Sequence, residues 1–196
     1  MKGYYFIKRQ IDLWGSIFTL ILLSPLFLIT AVVIKLTSQG PVFFRQDRMG
    51  KDEAIFRIWK FRTMRVGADD VKASIEEVRE WEANGDDPRL TFMGRWIRKF
   101  GIDEFPQFIN VLKGDMSIVG PRPYYMPRIR DNESLKERLS VKPGFISLAL
   151  VNGGVTLSDE EILRYDKEYI RIQSIGLDIK IMIKAVALAL SGRGFN

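Results

Sequence analysis

The longest uncharged stretch in the chain covers 22 positions, residues 13–34, and is apolar almost throughout. As a helix rising about 1.5 Å per residue it matches a hydrocarbon layer about 30 Å thick. Ser24-Pro25 sits at its midpoint. Proline there removes an intrahelical donor and its ring clashes with the preceding turn, so a kink is predicted, with the Ser24 hydroxyl placed to satisfy a freed carbonyl. Basic residues stand on both flanks, Lys2, Lys8 and Arg9 before and Lys35, Arg45, Arg48 and Lys51 after. Positive charge therefore gives no direction of insertion. Two arrangements fit: a kinked helix that crosses a bilayer, and a hairpin that enters and leaves through one leaflet with both basic ends beside anionic headgroups.

Downstream the pattern shortens. Gly40-Pro41 predicts a turn, and residues 42–44 and 54–58 read as extended segments about a second turn at Met49-Gly50-Lys51. Residues 69–84 read as a charged, solvent-facing helix, followed by a loop over 85–88; neither is assigned chemistry. Residues 92–100 place Phe92, Trp96 and Phe100 on one helical stripe among basic residues. That mixture suits a headgroup layer, and equally a packed helix with a solvated face. Residues 175–190 are apolar but interrupted by Asp178, Lys180 and Lys184. The interruptions argue for a helix that lies against a membrane or caps the core, not one that spans.

At 196 residues the chain is long enough for one compact domain with a core. Cysteine and histidine are both absent, which excludes a disulfide framework, a thiol nucleophile, a histidine base and nearly every structural zinc site. Catalysis would have to run on carboxylates, hydroxyls, amines and arginines, and any metal would be a hard ion held by oxygen, magnesium first. The formal charge of +6 is unevenly placed: residues 69–87 hold eight acidic and two basic residues, leaving 28 basic against 16 acidic elsewhere. Such a surface attracts nucleic acid, lipid headgroups or phosphorylated small substrates, and serves solubility as well.

Residues 102–123 carry the densest chemistry. With Asp103 as cap, Pro106 falls in a first helical turn where a missing donor costs little, Phe105, Phe108, Ile109 and Leu112 form a buried stripe, and Gly114 ends the helix. Asp103 and Glu104 then stand at the helix start, where backbone donors and the dipole favour phosphate. A carboxylate approaching a diphosphate needs a cation to screen it, which predicts magnesium. Gly120-Pro121-Arg122-Pro123 fixes torsions on both sides of one arginine, preorganising its guanidinium for phosphate. Taken alone, the acidic pair also reads as a capping device and the arginine turn as a surface ion pair.

Lys60-Phe-Arg-Thr-Met64, Asp103-Glu104-Phe-Pro-Gln107 and the run from Asn110 to Pro123 together closely resemble the monotopic phosphoglycosyl transferases, a family of bacterial sugar transferases, in its minimal catalytic form. The resemblance implies an α+β, helix-dominated, single small membrane-embedded domain. Residues 1–38 would be a re-entrant helix broken at Ser24 and Pro25, and residues 39–196 a catalytic domain on the cytoplasmic face of the bacterial inner membrane, with amphipathic interfacial helices. It implies transfer of a sugar-1-phosphate from a nucleoside diphosphate sugar, a UDP-sugar by preference, to polyprenol phosphate such as undecaprenyl phosphate, as the first membrane step of surface glycan assembly. Asp103 would be the nucleophile and would meet Mg2+, with Glu104 its partner. Arg122, Arg98, Lys60 and Arg62 would bind substrate phosphate. The implied partners are both substrates and the phospholipid membrane, with no nucleic acid; a homo-oligomer is left open. The rival reading is a non-catalytic membrane-surface protein that binds anionic lipid or nucleic acid.

One segment departs from the family. Where its members commonly read Pro-Gly-Ile-Thr-Gly-Leu-Ala-Gln-Val-Asn-Gly-Arg, this chain has Phe145, Ile146, Ser147, Leu150 and Gly154 at the changed positions. An amide and a guanidinium suited to recognising a nucleotide or sugar are thereby lost. Gly101 stands where the family usually has serine.

Overall fold

The computed structural model describes residues 2–68, 74, 77–78, 80–81, 87–123 and 133–191. Most of the predicted charged helix over 69–84, and Gly85 and Asp86 of the loop after it, lie outside these.

The apolar run forms two helices, α1 (Lys2–Leu22) and α2 (Ser24–Thr37), which meet at a 59° bend. Pro25 lies in the first turn of α2, where its missing donor is harmless, and the Ser24 hydroxyl donates to the Ile21 carbonyl at 2.8 Å. Among the described residues no single helix is long and apolar enough to cross a membrane; the bent pair passes that test together.

Next comes an antiparallel hairpin, β1 (Phe43–Met49) and β2 (Ile55–Phe61), in register from Phe43 opposite Phe61 to Met49 opposite Ile55. Both strands outrun the extended segments read from sequence. Residues 45–48 are polar and hide the alternation, yet their backbone is fully paired. Helix α3 (Phe92–Lys99) starts at a Thr91 cap whose side chain accepts from the Gly94 amide. Its Phe92, Trp96 and Phe100 stripe is exposed, with Trp96 and Phe100 stacked at 6.3 Å.

A 3₁₀ turn (Ile102–Gln107) runs into the short helix α4 (Phe108–Lys113), which Gly114 ends in the left-handed conformation at φ 92°. The expected cap is corrected here. Gly101, not Asp103, precedes the turn, and Asp103 lies inside it. Three residues per turn instead of 3.6 also shift the buried face, so Val111 is fully buried while Leu112 is only partly covered.

Strand β3 (Ser117–Val119) pairs in parallel with β4 (Gly144–Ile146). Helices α5 (Leu148–Val151), α6 (Asp159–Ile172) and α7 (Ile175–Leu190) complete a helix-dominated α+β fold with two small sheets. The main core gathers Phe56 and Ile58 of β2, Phe108 and Val111 of α4, Ile118 of β3 and Ile181 of α7; Ile34, Phe61 and Ile97 form a second cluster under α2.

Helix α1 is fastened to this core by polar contacts. Arg9 donates to the carbonyls of Val111 and Leu112 at 2.7 and 2.8 Å, satisfying the end of α4. The Asp12 carboxylate accepts from the Ser117 hydroxyl and the Ile118 amide at 3.0 and 2.8 Å. Lys8 and Tyr4 both donate to Asp178 of α7, at 2.8 and 3.0 Å.

Candidate active site

The acidic pair is set by two neighbours in the fold, Gly101 and Asn110. Gly101 takes φ 66°, a conformation costly for a side-chain-bearing residue, and so turns the chain from α3 into the 3₁₀ turn. The departure to glycine at 101 thus has a backbone cause. Asn110 fixes the turn against the hairpin: its side chain accepts from the Trp59 amide at 3.0 Å and donates to the Arg57 carbonyl at 2.8 Å. That pins the free edge of β2 against α4 and delivers Lys60 to the dyad.

Glu104 is clamped. Its Oε1 takes the Lys60 ammonium at 2.7 Å and the Arg122 guanidinium at 2.5 Å. Burial alone would raise its carboxyl, but Arg122 and Lys60 outweigh it and hold the group down at about 2. Asp103 differs. It is 7 % exposed, and among the described residues no hydrogen bond reaches its carboxylate. Burial, opposed by Lys60, Arg98 and Arg122 and reinforced by Glu104, pushes its carboxyl up to about 6. Adjacent carboxylates have been driven apart, one into a permanent anion and the other into a desolvated base still ionised at neutral pH.

Of the basic candidates, Lys60 and Arg122 touch the dyad and Arg98 acts on both carboxylates through its charge. Arg98 also lies 3.5 Å from Asp87. Arg62 stands elsewhere: its guanidinium donates to the Gln39 carbonyl at 2.6 Å, the Ser38 carbonyl at 3.0 Å and the Ser38 hydroxyl at 2.7 Å, holding the chain just past α2. Asp87, read as loop without chemistry, is buried and binds the Arg89 side chain with both oxygens at 2.9 and 2.8 Å. It thus gathers two arginines behind the site. Its place beside Asp86 at the end of an acidic stretch gave no signal; Asn110 lay inside the recognised run but carried no role there.

The departing segment lies against the dyad turn. The Phe145 ring packs on Phe108 and Phe105, with centroids 4.7 and 6.1 Å apart. Ser147 caps α5 by accepting from the Leu150 amide at 3.0 Å, and Ile146 and Leu150 join the core.

The described residues hold no group of three acidic side chains able to bind a metal unaided. One carboxylate plus substrate phosphate oxygens is a donor set magnesium accepts, so Asp103 fits that ion once a diphosphate is bound.

The sequence profile of the bacterial sugar transferases matches residues 3–192. The chain belongs to this family. It is 40% identical, over 95% of its own length, to an undecaprenyl-phosphate glucose phosphotransferase of Komagataeibacter xylinus, of which it covers 36%. It is also 40% identical, over 92% of its length, to a UDP-glucose:undecaprenyl-phosphate glucose-1-phosphate transferase of Escherichia coli (strain K12), covering 39% of that protein. The chain spans about two fifths of the length of these two relatives. It spans 90% of an uncharacterized sugar transferase, EpsL, of Bacillus subtilis (strain 168), at 39% identity.

Proposed function

We propose that the chain is a polyprenyl-phosphate sugar-1-phosphate transferase that works through Asp103. The observation that carries this reading is the split dyad: Glu104 tied to two cations, and Asp103 beside it buried, ionised and without a hydrogen-bond donor to blunt it.

In the first displacement an Asp103 oxygen attacks the sugar-bearing phosphorus of a nucleoside diphosphate sugar, a UDP-sugar by preference. The bond from that phosphorus to the bridging oxygen breaks, and the nucleoside monophosphate leaves with the electron pair. In the second, a phosphate oxygen of polyprenol phosphate attacks the same phosphorus and Asp103 departs as carboxylate, yielding polyprenyl diphosphate sugar. Lys60 and Arg122 hold Glu104 in place and offer positive charge to the diphosphate as it arrives; Arg98 adds to that field. Magnesium, held by Asp103 with the diphosphate oxygens, would supply charge neutralisation.

The surface supports a membrane setting. Exposed apolar side chains line α1 (Trp14, Phe18, Ile21), α2 (Leu28, Leu36), α3 (Phe92, Trp96) and α7 (Ile183, Leu190). So much uncovered apolar area suits lipid, with residues 1–38 as a re-entrant hairpin and the remainder on the cytoplasmic face of the inner membrane. The lipid acceptor then arrives in the membrane plane and the soluble donor from the cytoplasm. A non-catalytic lipid-binding protein would share this surface but gives no reason for an unpaired buried aspartate.

Incubating the purified chain with donor alone and weighing the intact protein tests the reading. A sugar-phosphate adduct on Asp103, discharged by polyprenol phosphate, is expected, and a chelator should prevent it until magnesium is restored. Active protein that never carries the adduct would overturn the route.

A further inference from the structure

The arginine turn is held from behind by a charged pair that the proposed chemistry leaves unused. Arg138, in the 3₁₀ segment Glu133–Ser140, and Asp166 of α6 are 5 % and 1 % exposed. Arg138 Nη2 lies 2.6 Å from Asp166 Oδ2, and the same nitrogen donates to the Arg122 carbonyl oxygen at 2.9 Å. Withdrawing two charges from water commonly costs as much as their attraction returns, so a buried pair here is a weak source of stability. What it delivers is a fixed donor on one carbonyl.

That carbonyl lies at a sensitive place. The Arg122 side chain is 42 % exposed, so packing alone does not hold it, yet it reaches Glu104 at 2.5 Å. Its direction is inherited from the main chain, which is fixed on both sides of its Cα. On one side the Gly144 amide of β4 donates to the Pro121 carbonyl at 2.8 Å; on the other Arg138 holds the Arg122 carbonyl. The close approach of Gly120 and Gly144, where a side chain on either would overlap the other's backbone, keeps this anchor tight. Pro123 follows immediately, so the Arg122 carbonyl belongs to a peptide with no amide hydrogen to help set its plane.

We propose that Arg138, oriented by Asp166, is a positioning residue for the transfer reaction: it sets the main chain at Arg122 so that the guanidinium stands between Glu104 and the donor diphosphate. This rests on the reading of Arg122 as a phosphate-binding residue.

A double-mutant cycle on the full chain tests it, reading adduct formation from a UDP-sugar by intact mass over hours, with thermal midpoints recorded alongside. Arg138→Gln should slow adduct formation about tenfold or more in the native background. In an Arg122→Ala background it should slow it less than about twofold, because no guanidinium remains to misplace. Asp166→Asn should follow the same pattern. Losses that multiply in the double variant would overturn the inference, since a loosened fold harms both backgrounds equally. Full activity in Arg122→Ala alone would instead remove the phosphate-binding reading, and the positioning role with it. If Arg138→Gln fails to fold, Arg138→Lys, which keeps the charge facing Asp166 but shortens the reach, is put through the same cycle and judged by the same two outcomes.

Discussion

Lys60, near the end of β2, and Glu104, in the turn after α3, lie 44 positions apart in the chain and 2.7 Å apart in space. Arg122 meets the same Glu104 oxygen at 2.5 Å. Two separate segments thus converge on one carboxylate, while among the described residues no hydrogen bond reaches the neighbouring Asp103 carboxylate.

The acid limb of the reaction should report Asp103. Its carboxyl titrates at about 6 in the folded protein, so the rate of adduct formation from donor alone should fall about tenfold per pH unit below 6 and level off above it. Glu104, held at about 2, stays ionised throughout. Donor alone is the correct substrate for this profile, because a phosphate monoester acceptor titrates near 6 itself. A flat profile down to pH 5 would contradict the assignment.

The same titration predicts a stability gain on disarming the site. Asp103 binds its proton more tightly folded, at about 6, than at its ordinary 3.8. Its contribution is therefore best at low pH and is lost as pH rises through that window. Asp103→Asn removes the cost and should stabilise the protein at pH 7.5 by on the order of 2 kcal/mol, with a much smaller gain at pH 4. Activity should drop more than about a thousandfold. Thermal melts at the two pH values check the sign.

Removing a clamp should free Glu104 to titrate. In Lys60→Met, one of two cations on Oε1 is gone, so the Glu104 carboxyl rises and less positive charge faces the incoming diphosphate. Adduct formation is expected to slow by about ten- to a hundredfold, with the thermal midpoint little changed. An unaltered rate would detach Lys60 from the site.

Arg62 should behave differently from Lys60. With three hydrogen bonds to residues 38 and 39 and only 7 % exposure, Arg62→Ala should cost about 1–3 kcal/mol of stability. KM for the donor should stay within about twofold at a temperature where the variant is folded. A large rise in KM with unchanged stability would return Arg62 to the phosphate site.

Much of this was legible beforehand, and the failures have physical causes. The break at Ser24-Pro25 could be read because proline acts through local sterics, and Gly114 could be read because a left-handed end needs glycine. Lys60 and Arg62 looked equivalent because they alternate like strand neighbours, but β2 ends at Phe61, and the chain turns Arg62 toward Ser38. Asp103 looked like a cap because a carboxylate before an apolar stripe usually is one; the 3₁₀ turn that makes it internal depends on Gly101. Arg138 was one arginine in a charged stretch. Its contact with Arg122 exists only because β3 and β4 run parallel and bring the chain back behind the turn.

The grip of Arg9 and Asp12 on α4 and β3 has a geometric outcome for the proposed lipid acceptor. With α1 bolted to the helix that follows the dyad turn, the distance from α1 to Asp103 is set by the fold, and under the proposed reading it becomes a built-in ruler. Acceptors whose phosphate floats at another depth would be measured and refused before any bond is made.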